Sequence, residues 1–470
     1  MRSTMVLYVL SSLAVLVGSP LTAQNKNDVA VWLTTPGRTS LFTKQPATLH
    51  FRRSTAGAPA IEVKDRQKYQ KMEGFGLALT GGSAQLLMRM DTSQRTQLLN
   101  ELFGTEDGDI GISYLRVSIG SSDMNDHAFT YDDLRAGDTD ADLRHFDLGP
   151  DKTSVVPALK EILEVSPSIR ILGSPWSAPA WMKTNDNLKG GSLKPESYDT
   201  YAHYLVKYIE TMKANGIAIT AITPQNEPLN PKNTPSMVMS AEQEDQFIGQ
   251  SLGPIFRKGG IATRILVYDH NCDRPDYPLT ILADSQAQQY VEGSAFHLYG
   301  GKITALTQVH DAYPKKNVYF TEQMVVDRRH DAQLDIASPV RDLIIGAPRN
   351  WSRNVLLWNL AADPDFGPHT NDGGCPVCEG AITLDRNSVT RNAAYYTIAH
   401  AARFVRPGSV RVASNTSDAL PNVAFVTPAG ERVLIVSNDS GAPQQFQIRW
   451  RGKGVGTSLD AGAVATYVWK

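Results

Sequence analysis

Eight short runs of β-branched and apolar residues alternate with helix-type segments along most of this chain, and this alternation restricts its fold more than any other feature. Alternating strands and helices imply parallel strands joined by right-handed crossovers. Eight such units predict an α/β fold, a closed (β/α)8 TIM barrel with its active site at the carboxyl ends of the strands. The predicted strands are Gly74–Thr80, Ser113–Ile119, Ile169–Ser174, Ala218–Thr223, Arg264–Tyr268, Gly293–Leu298, Val318–Thr321 and Val355–Trp358.

Two of the intervening segments carry clear helix signals. Aromatic and apolar residues recur at three- and four-residue steps between Glu196 and Ala214, the period of an amphipathic helix. Ser240 and Gln243 form a capping box, which predicts a helix running to about Lys258.

The two ends of the chain follow another pattern. After the last predicted helix, Asn392–Val405, apolar and polar residues alternate between turn residues, which predicts antiparallel strands. These strands are Val423–Val426, Arg432–Ser437, Gln445–Trp450 and Ala463–Trp469, and the early strands Val29–Leu33 and Ala47–Phe51 are expected to pair with them. We therefore predict an accessory antiparallel β-sandwich built from both chain ends, residues 24–72 and 406–470, beside a catalytic barrel at 73–405.

The first 23 residues resemble a secretory signal peptide. Arg2 precedes an apolar run from Met5 to Val17, and small residues up to Ala23 supply a cleavage site. The apolar run is too short to span a bilayer comfortably. We expect a secreted or periplasmic protein without stable membrane insertion.

The charge balance argues against several kinds of partner. Lys and Arg number 46 against 48 Asp and Glu, a net charge of −2, so nothing in the charge favours nucleic acid or an anionic membrane. We expect small neutral partners, no nucleic acid, and a monomer.

Three cysteines are too few for a disulfide framework. Cys375 and Cys378 could suggest metal or redox work, but zinc would need two more ligands that are not apparent nearby. In an exported chain we expect a local disulfide that pins a loop, with Cys272 free.

Two glutamates follow β-type runs where a barrel would present its active site. Glu227 comes after the strand ending near Thr223, and Glu322 comes directly after Val318–Thr321. A carboxyl group at a strand end has a rigid base and faces a pocket that can tune its protonation. The alternative is that Glu227 only caps a turn and Glu322 is a buried, salt-bridged strand residue.

Other predicted strand ends add hydrogen-bonding side chains and flat aromatic faces. Sugars are recognised by this mixture, because their C–H faces stack on indole while their hydroxyls need directional partners. Each of these residues taken alone could also be a core residue, but the residues at six predicted strand ends all fit the same kind of pocket. The candidates are Arg116, Asp123, Trp176, Asn226, His297, Tyr299 and Trp358.

Several motifs, taken together, resemble glycoside hydrolase family 30, the family of lysosomal-type glucosylceramidases and microbial β-1,6-glucanases. The likeness runs from about Val29 to Lys470. Its motifs are Glu73-Gly-Phe-Gly, Leu115-Arg-Val, Ser174-Pro-Trp-Ser-Ala-Pro-Ala-Trp-Met-Lys-Thr-Asn, Gln225-Asn-Glu-Pro, His297-Leu-Tyr and Phe320-Thr-Glu.

The resemblance implies a barrel beside a β-sandwich, a retaining mechanism and no cofactor or metal. By motif position, Glu227 is similar to the family's acid/base, Glu322 to its nucleophile, and Asn226 to the partner of the sugar 2-hydroxyl. Leu298 and the loop around Cys375 depart from the glucosylceramidase branch. We therefore expect β-1,6-glucan as substrate, with glucosylceramide, simple β-glucosides or β-xylosides as alternatives.

Retention requires the two carboxyl groups roughly 5–5.5 Å apart, with the acid protonated and the nucleophile ionised. Burial and the neighbouring charge are expected to raise the pKa of Glu227, while donors such as Arg116 or Tyr299 keep Glu322 charged. Two rivals remain: an inactive carbohydrate-binding barrel, and a metal-dependent hydrolase, which would need several histidines at strand ends where we count only His297.

Overall fold

A computed structural model describes residues 28–53, 59–327 and 333–470, so the predicted signal peptide lies outside the described residues. Eight parallel strands form the predicted barrel, and we number them first to eighth along the chain. They are Gly74–Leu79, Tyr114–Ile119, Arg170–Pro175, Ala221–Ile222, Arg264–Cys272, Val291–Gly301, Asn317–Glu322 and Asn354–Leu357.

The first seven strands pair in parallel with their sequence neighbours, and the eighth pairs with the first. The seam between the seventh and eighth strands is held by fewer contacts. Val318 bridges to Ser352, and the Phe320 N–H donates to the Asn354 side-chain oxygen at 2.9 Å. These contacts close the barrel and confirm the predicted fold class.

The fourth, fifth and sixth strands differ most from their predicted bounds. The fourth strand shortens to Ala221–Ile222. The Thr220 hydroxyl lies 3.3 Å from Ile171 N and 2.9 Å from Ile171 O, beside the backbone bond that the Thr220 N–H donates to Ile171 O at 2.8 Å. The fifth strand continues to Cys272 through a register shift between Tyr268 and His270. A bulge at a barrel rim turns side chains toward the active site.

Helices cover the outside of the barrel. The Ser240 capping box is present, but a π-helical turn at Phe247–Leu252 interrupts the helix predicted to run to Lys258. Pro254 has no N–H to donate one turn back, which favours such an irregularity. The α-helices are Gly81–Met88, Thr92–Phe103, Val155–Val165, Tyr198–Ala214, Ala241–Gln246, Gly253–Gly259, Asp276–Ala283, Ser285–Gln288, Ala305–Ala312, Ala337–Pro339, Gly346–Arg349 and Ala393–Ala402, and a second π-helical turn spans Val340–Ile345.

Both chain ends build the accessory β-structure. Asp28–Thr34 pairs antiparallel with the last strand, Val464–Trp469. The long strand Ala60–Lys71, which the sequence analysis missed, pairs with Val410–Ser414. The remaining strands of this sheet are Thr43–Lys44, Leu49–His50, Arg52–Arg53, Asn422–Val426, Arg432–Ser437, Gln444–Trp450 and Lys453–Leu459, and a small separate sheet contains Ala361–Ala362, Ile382–Asp385 and Ser388–Arg391.

A buried charged residue explains why the sequence pattern did not predict the strand Ala60–Lys71. Ile61, Val63 and Asp65 all point inward, and the carboxylate of Asp65 breaks the apolar alternation. Asp65 accepts hydrogen bonds from the Trp450 indole at 3.0 Å and from Arg432 at 2.9 Å.

Within the described part of the chain, no helix is long and apolar enough to cross a membrane.

An ion cluster fills the amino-terminal end of the barrel. Glu73 is 3% exposed and accepts hydrogen bonds from Arg264 at 2.8 and 2.9 Å, from Arg170 at 3.1 Å and from the Tyr319 hydroxyl at 3.1 Å. Burial by itself raises the pKa of Glu73, but the hydrogen bonds and charge of Arg264 and the charges of Arg353 and Arg170 outweigh it, so the pKa is lowered.

Replacing this carboxylate tests how strongly the cluster holds the barrel together. Glu73→Gln is expected to lower the free energy of unfolding by about 3 kcal/mol at neutral pH, because three arginines lose their shared counter-charge. Since the folded pKa is lowered, the difference from wild type persists above pH 4.5, the ordinary value, and shrinks as pH falls through the folded value. Urea unfolding at neutral and acid pH measures this, with exposed Glu164→Gln as control. Equal stabilities at neutral pH would contradict the expectation.

Candidate active site

A pocket of about 720 Å³ opens at the carboxyl ends of the barrel strands. Seven of the nine predicted site residues line it: Asp123, Trp176, Asn226, Glu227, Tyr299, Glu322 and Trp358. Arg116 and His297 have no exposed surface and lie behind the wall, in contact with the two glutamates. The structure thus brings all nine together.

Glu227 is held by the backbone of the loop after the fourth strand. Its N–H donates to the Asp269 carbonyl at 3.0 Å, and the Asn226 N–H donates to the Pro175 carbonyl at 2.8 Å. Glu227 has a φ of +44°, in the left-handed region that non-glycine residues rarely adopt. Such backbone persists where the surrounding structure imposes it, as at active sites.

Glu322 ends the seventh strand and receives two strong donors. Arg116 donates to its Oε2 at 2.5 Å, and the Tyr299 hydroxyl donates to its Oε1 at 3.0 Å. The donors that the sequence suggested for Glu322 are therefore both in place.

The two carboxyl groups meet across the mouth of the barrel through His297. His297 Nδ1 lies 3.2 Å from Glu227 Oε1 and 3.9 Å from Glu322 Oε1. One oxygen of each glutamate and a ring nitrogen of His297 all lie within 4.8 Å of one another. Residues 95 positions apart in the chain are adjacent in space because the barrel closes.

Asp269 is a central residue of the site that the sequence analysis missed. It follows Tyr268, where the fifth strand was predicted to end, so the signal used for the other strands was available. Arg116 donates to Asp269 Oδ2 at 2.7 Å, and His297 Nε2 lies 3.0 Å from Asp269 Oδ1. The next residue, His270, lines the pocket, so the count of one strand-end histidine was wrong.

Two tryptophans form an aromatic wall. The rings of Trp176 and Trp358 lie 5.5 Å apart and are tilted by 33°. The Arg116 guanidinium lies 4.8 Å from the centre of the Trp176 ring. Both indoles border the pocket, so they serve both as packing and as pocket surface.

A disulfide-closed loop forms the rim. Cys375 and Cys378 are bonded and Cys272 is a buried free thiol, as expected. Both bonded cysteines line the pocket, and Cys378 packs in one cluster with Trp176 and Trp358. The loop also contacts the segment after the fourth strand, where the Thr234 N–H donates to the Gly373 carbonyl at 3.3 Å.

In the free pocket the pKa of Glu227 shifts in the opposite direction to the sequence prediction. Burial by itself raises the pKa of Glu227, but the hydrogen bond and charge of His297 outweigh it and lower the pKa to about 2. Burial by itself lowers the pKa of His297, but the charge of Glu322 and hydrogen bonds to Asp269 and Glu227 raise it to about 9. Burial raises the pKa of Glu322, which the charges of His297 and Arg116 only partly counter. The sequence prediction did not take into account a cationic imidazole beside Glu227.

Asp123 behaves differently from the other carboxyl groups of the pocket. Burial, followed by the negative charges of Glu322 and Glu227, raises its pKa to about 8. Near neutral pH it therefore carries a proton and can donate a hydrogen bond to a neutral ligand.

Two clusters of three side chains whose types and spacing would allow them to hold a metal ion occur among the residues that the structure describes. One comprises Glu227, His297 and Glu322, and the other comprises Asp132, Asp140 and His145. The histidine of each cluster is already hydrogen-bonded to a carboxylate of the same cluster, at 3.2 Å in the pocket and 2.8 Å outside it.

Comparisons with known proteins agree with this architecture. The chain matches the glycosyl hydrolase family 30 TIM-barrel domain over residues 72–405 and the family 30 beta sandwich domain over residues 408–467. It is 34% identical to an endo-1,6-beta-D-glucanase of Aspergillus fumigatus, with 79% of each chain covered. It is 26% identical to the lysosomal acid glucosylceramidase of Mus musculus, with 87% of this chain and 83% of the relative covered. A solved endo-beta1,6-glucanase superposes with a TM-score of 0.86 at 33% identity, over 94% of this chain and 99% of the other.

Chelation tests the two clusters. Exhaustive dialysis against EDTA is expected to leave hydrolytic activity unchanged, because an acid/base and a nucleophilic carboxyl group suffice for glycoside hydrolysis. The measurement is the initial rate on an aryl β-glycoside before and after dialysis, with buffer dialysis as control. Loss of activity that Zn²⁺ restores would contradict this expectation.

Proposed function

The chain belongs to glycosyl hydrolase family 30, and we propose that it hydrolyses β-linked glucan with retention of configuration, with Glu322 as nucleophile and Glu227 as acid/base. The observation that carries this proposal is the approach of the two carboxyl groups to within 4.8 Å across the barrel mouth. Retaining enzymes hold their carboxyl groups roughly 5–5.5 Å apart, whereas inverting enzymes leave a wider gap for water.

The donors around each glutamate support the assignment of roles. Arg116 and Tyr299 donate to Glu322, so its charge is held in one orientation for attack at the anomeric carbon. Glu227 faces the pocket from the loop after the fourth strand, with Asn230 donating to its second oxygen at 2.7 Å. Asn226 lies next to it and accepts from Arg116 at 2.6 Å, so its amide N–H₂ remains to bind a sugar 2-hydroxyl.

For the substrate we propose β-1,6-glucan. Endo-1,6-beta-D-glucanases of three fungi are 33–34% identical to this chain, and a solved structure of the same activity superposes closely. The pocket combines the Trp176–Trp358 wall with polar groups, as expected for a glucose ring. Glucosylceramide is the second candidate, because the mouse glucosylceramidase is also a relative. We further propose that the protein is secreted or periplasmic, given the signal-type segment at residues 1–23, and that it acts as a monomer.

Two amide variants separate the proposed roles. Glu322→Gln is expected to lose at least about 10³-fold in kcat on any substrate, because no covalent intermediate can form. Glu227→Gln is expected to lose about 10²–10⁴-fold in kcat/KM on glucan but much less on an aryl glycoside whose leaving group needs no proton. Steady-state kinetics on both substrates measure this.

Glu101→Gln is the matched control, since Glu101 is a partly buried carboxylate paired with Arg391 outside the pocket. It should leave both rates unchanged. Proton NMR of the first-formed sugar should show the β anomer. An α product, or glucan hydrolysis at wild-type rates in either pocket variant, would contradict the proposal.

Substrate preference is tested by product analysis. We expect faster release from a linear β-1,6-glucan than from β-1,3-glucan, xylan or glucosylceramide. The comparison uses kcat/KM for each substrate, with Glu322→Gln as the blank. A higher value on xylan or on the glycolipid would assign the enzyme another substrate within the same family while leaving the catalytic pair in place.

A further inference from the structure

His297 stands between the two carboxyl groups of the pocket and a third carboxylate beneath them. Its Nδ1 lies 3.2 Å from Glu227 Oε1 and 3.9 Å from Glu322 Oε1, and its Nε2 lies 3.0 Å from Asp269 Oδ1. The ring has no exposed surface. A proton on this ring can therefore leave only toward one of these carboxylates.

Asp269 is a poor acceptor for that proton. The groups within hydrogen-bonding distance of its two oxygens are Arg116, Ser174, Thr223, Thr321 and His297. Burial by itself raises the pKa of Asp269, but the charge of Arg116 and the contact with His297 lower it far below its ordinary value. Nε2 therefore keeps its N–H, and the proton that can move lies between His297 Nδ1 and Glu227 Oε1.

The contact between His297 and Glu227 can hold the same number of protons in two ways: as an imidazolium beside a carboxylate, or as a neutral imidazole beside a carboxylic acid. The free pocket favours the first, whereas protonation of a leaving group requires the second. We propose that His297 holds the proton that Glu227 delivers to the leaving oxygen, and that neutralisation of Glu322 during its attack moves the proton to Glu227. This role rests on the proposed function of the two glutamates.

The position of Glu322 explains the timing. After burial, the charge of Glu322 is the largest influence on the pKa of His297, whereas the pKa of Glu227 is governed after burial by His297 itself. When Glu322 becomes an ester, its negative charge near Nδ1 is lost and the imidazolium loses its main support. The proton then moves to Glu227 as negative charge develops on the leaving oxygen.

The steps balance in protons and charge. In the first step the glycosidic bond breaks, Glu322 bonds to the anomeric carbon, and the proton of His297 Nδ1 passes to Glu227 and from Glu227 to the leaving oxygen. His297 is then neutral and Glu227 is again a carboxylate. In the second step water attacks the anomeric carbon, the bond between that carbon and Glu322 breaks, one proton of the water passes through Glu227 to His297 Nδ1, and Glu322 is again a carboxylate.

The pH dependence of kcat/KM reports this proton in the free enzyme. In wild type the alkaline limb should follow the His297 pKa of about 9, with activity lost as pH rises through it. His297→Asn keeps an amide N–H for Glu227 but has no proton to give, so the limb should move to lower pH. The charged and titratable groups in contact with His297 are Glu227, Glu322, Asp269, His270 and Tyr299. Arg116 pairs with Asp269 and Glu322, and Asp123 interacts electrostatically with Glu322 and Glu227.

At mildly alkaline pH, His297→Asn should lose about 100-fold in kcat/KM on glucan and less than about threefold on an aryl glycoside with a good leaving group. A residue that only orients Glu227 would lower both values without moving the limb. His400→Asn is the matched control, because His400 is also fully buried but bonds Thr34 and Thr466 outside the pocket. An unmoved limb in His297→Asn would overturn the proposal.

A direct readout uses wild-type enzyme with ¹⁵N-labelled histidine. Nδ1 of His297 should be protonated in the free enzyme and unprotonated once a 2-deoxy-2-fluoroglucosyl donor has trapped the sugar on Glu322, with His297→Asn assigning the signal. If that variant does not fold, neutron diffraction of wild-type crystals locates the same deuteron. Absence of a Glu322 adduct by mass spectrometry would overturn the proposed function. An adduct with unchanged His297 protonation would overturn only the proton-holding role.

Discussion

Arg116 and Asp269 form an ion pair of 2.7 Å inside the barrel, and neither side chain has any exposed surface. Every catalytic group of the proposed mechanism is attached to this pair. Arg116 also donates to Glu322 and Asn226, while Asp269 receives His297, which in turn contacts Glu227. Removing either member would leave an uncompensated buried charge, a strongly destabilising change. The geometry of the pocket is therefore a property of one buried pair that links the second and fifth strands.

The barrel keeps this charged network apart from a second one at its other end. Glu73 and the arginines around it fill the amino-terminal end, and an apolar layer of side chains from seven strands lies in the interior: Tyr114, Leu172, Ala221, Leu266, Ala295, Tyr319 and Leu356. Tyr319 belongs to the apolar layer and also contacts the ion cluster, because its hydroxyl donates to Glu73. Because an apolar layer separates the two ionic clusters, the cluster at the amino-terminal end can stabilise the barrel while the cluster at the carboxyl end forms the active site.

The fold class and the proposed pocket residues could be predicted because they are local signals repeated at strand ends. The strand Ala60–Lys71 could not, because Asp65 places a paired charge where the pattern requires an apolar residue. The protonation of Glu227 was also beyond the sequence, since it depends on a 3.2 Å contact with His297, 70 positions away. Asp269 was accessible in principle, as a carboxylate directly after a β-type run. The sequence does not show which buried charges neutralise one another, because these pairs form only when the barrel closes.

Charge balance in the pocket matches the reaction proposed for it. Arg116 and His297 are cations, Asp269 and Glu227 are anions, and the raised pKa of Asp123 keeps that carboxyl neutral near pH 7. With Glu322 ionised, as attack on the anomeric carbon requires, two cations and three anions leave one negative charge in the pocket. The transition state of glycoside hydrolysis resembles an oxocarbenium ion and is positively charged. A pocket with one fixed negative charge stabilises that cation more than it stabilises a neutral sugar, which is the differential binding that accelerates a reaction.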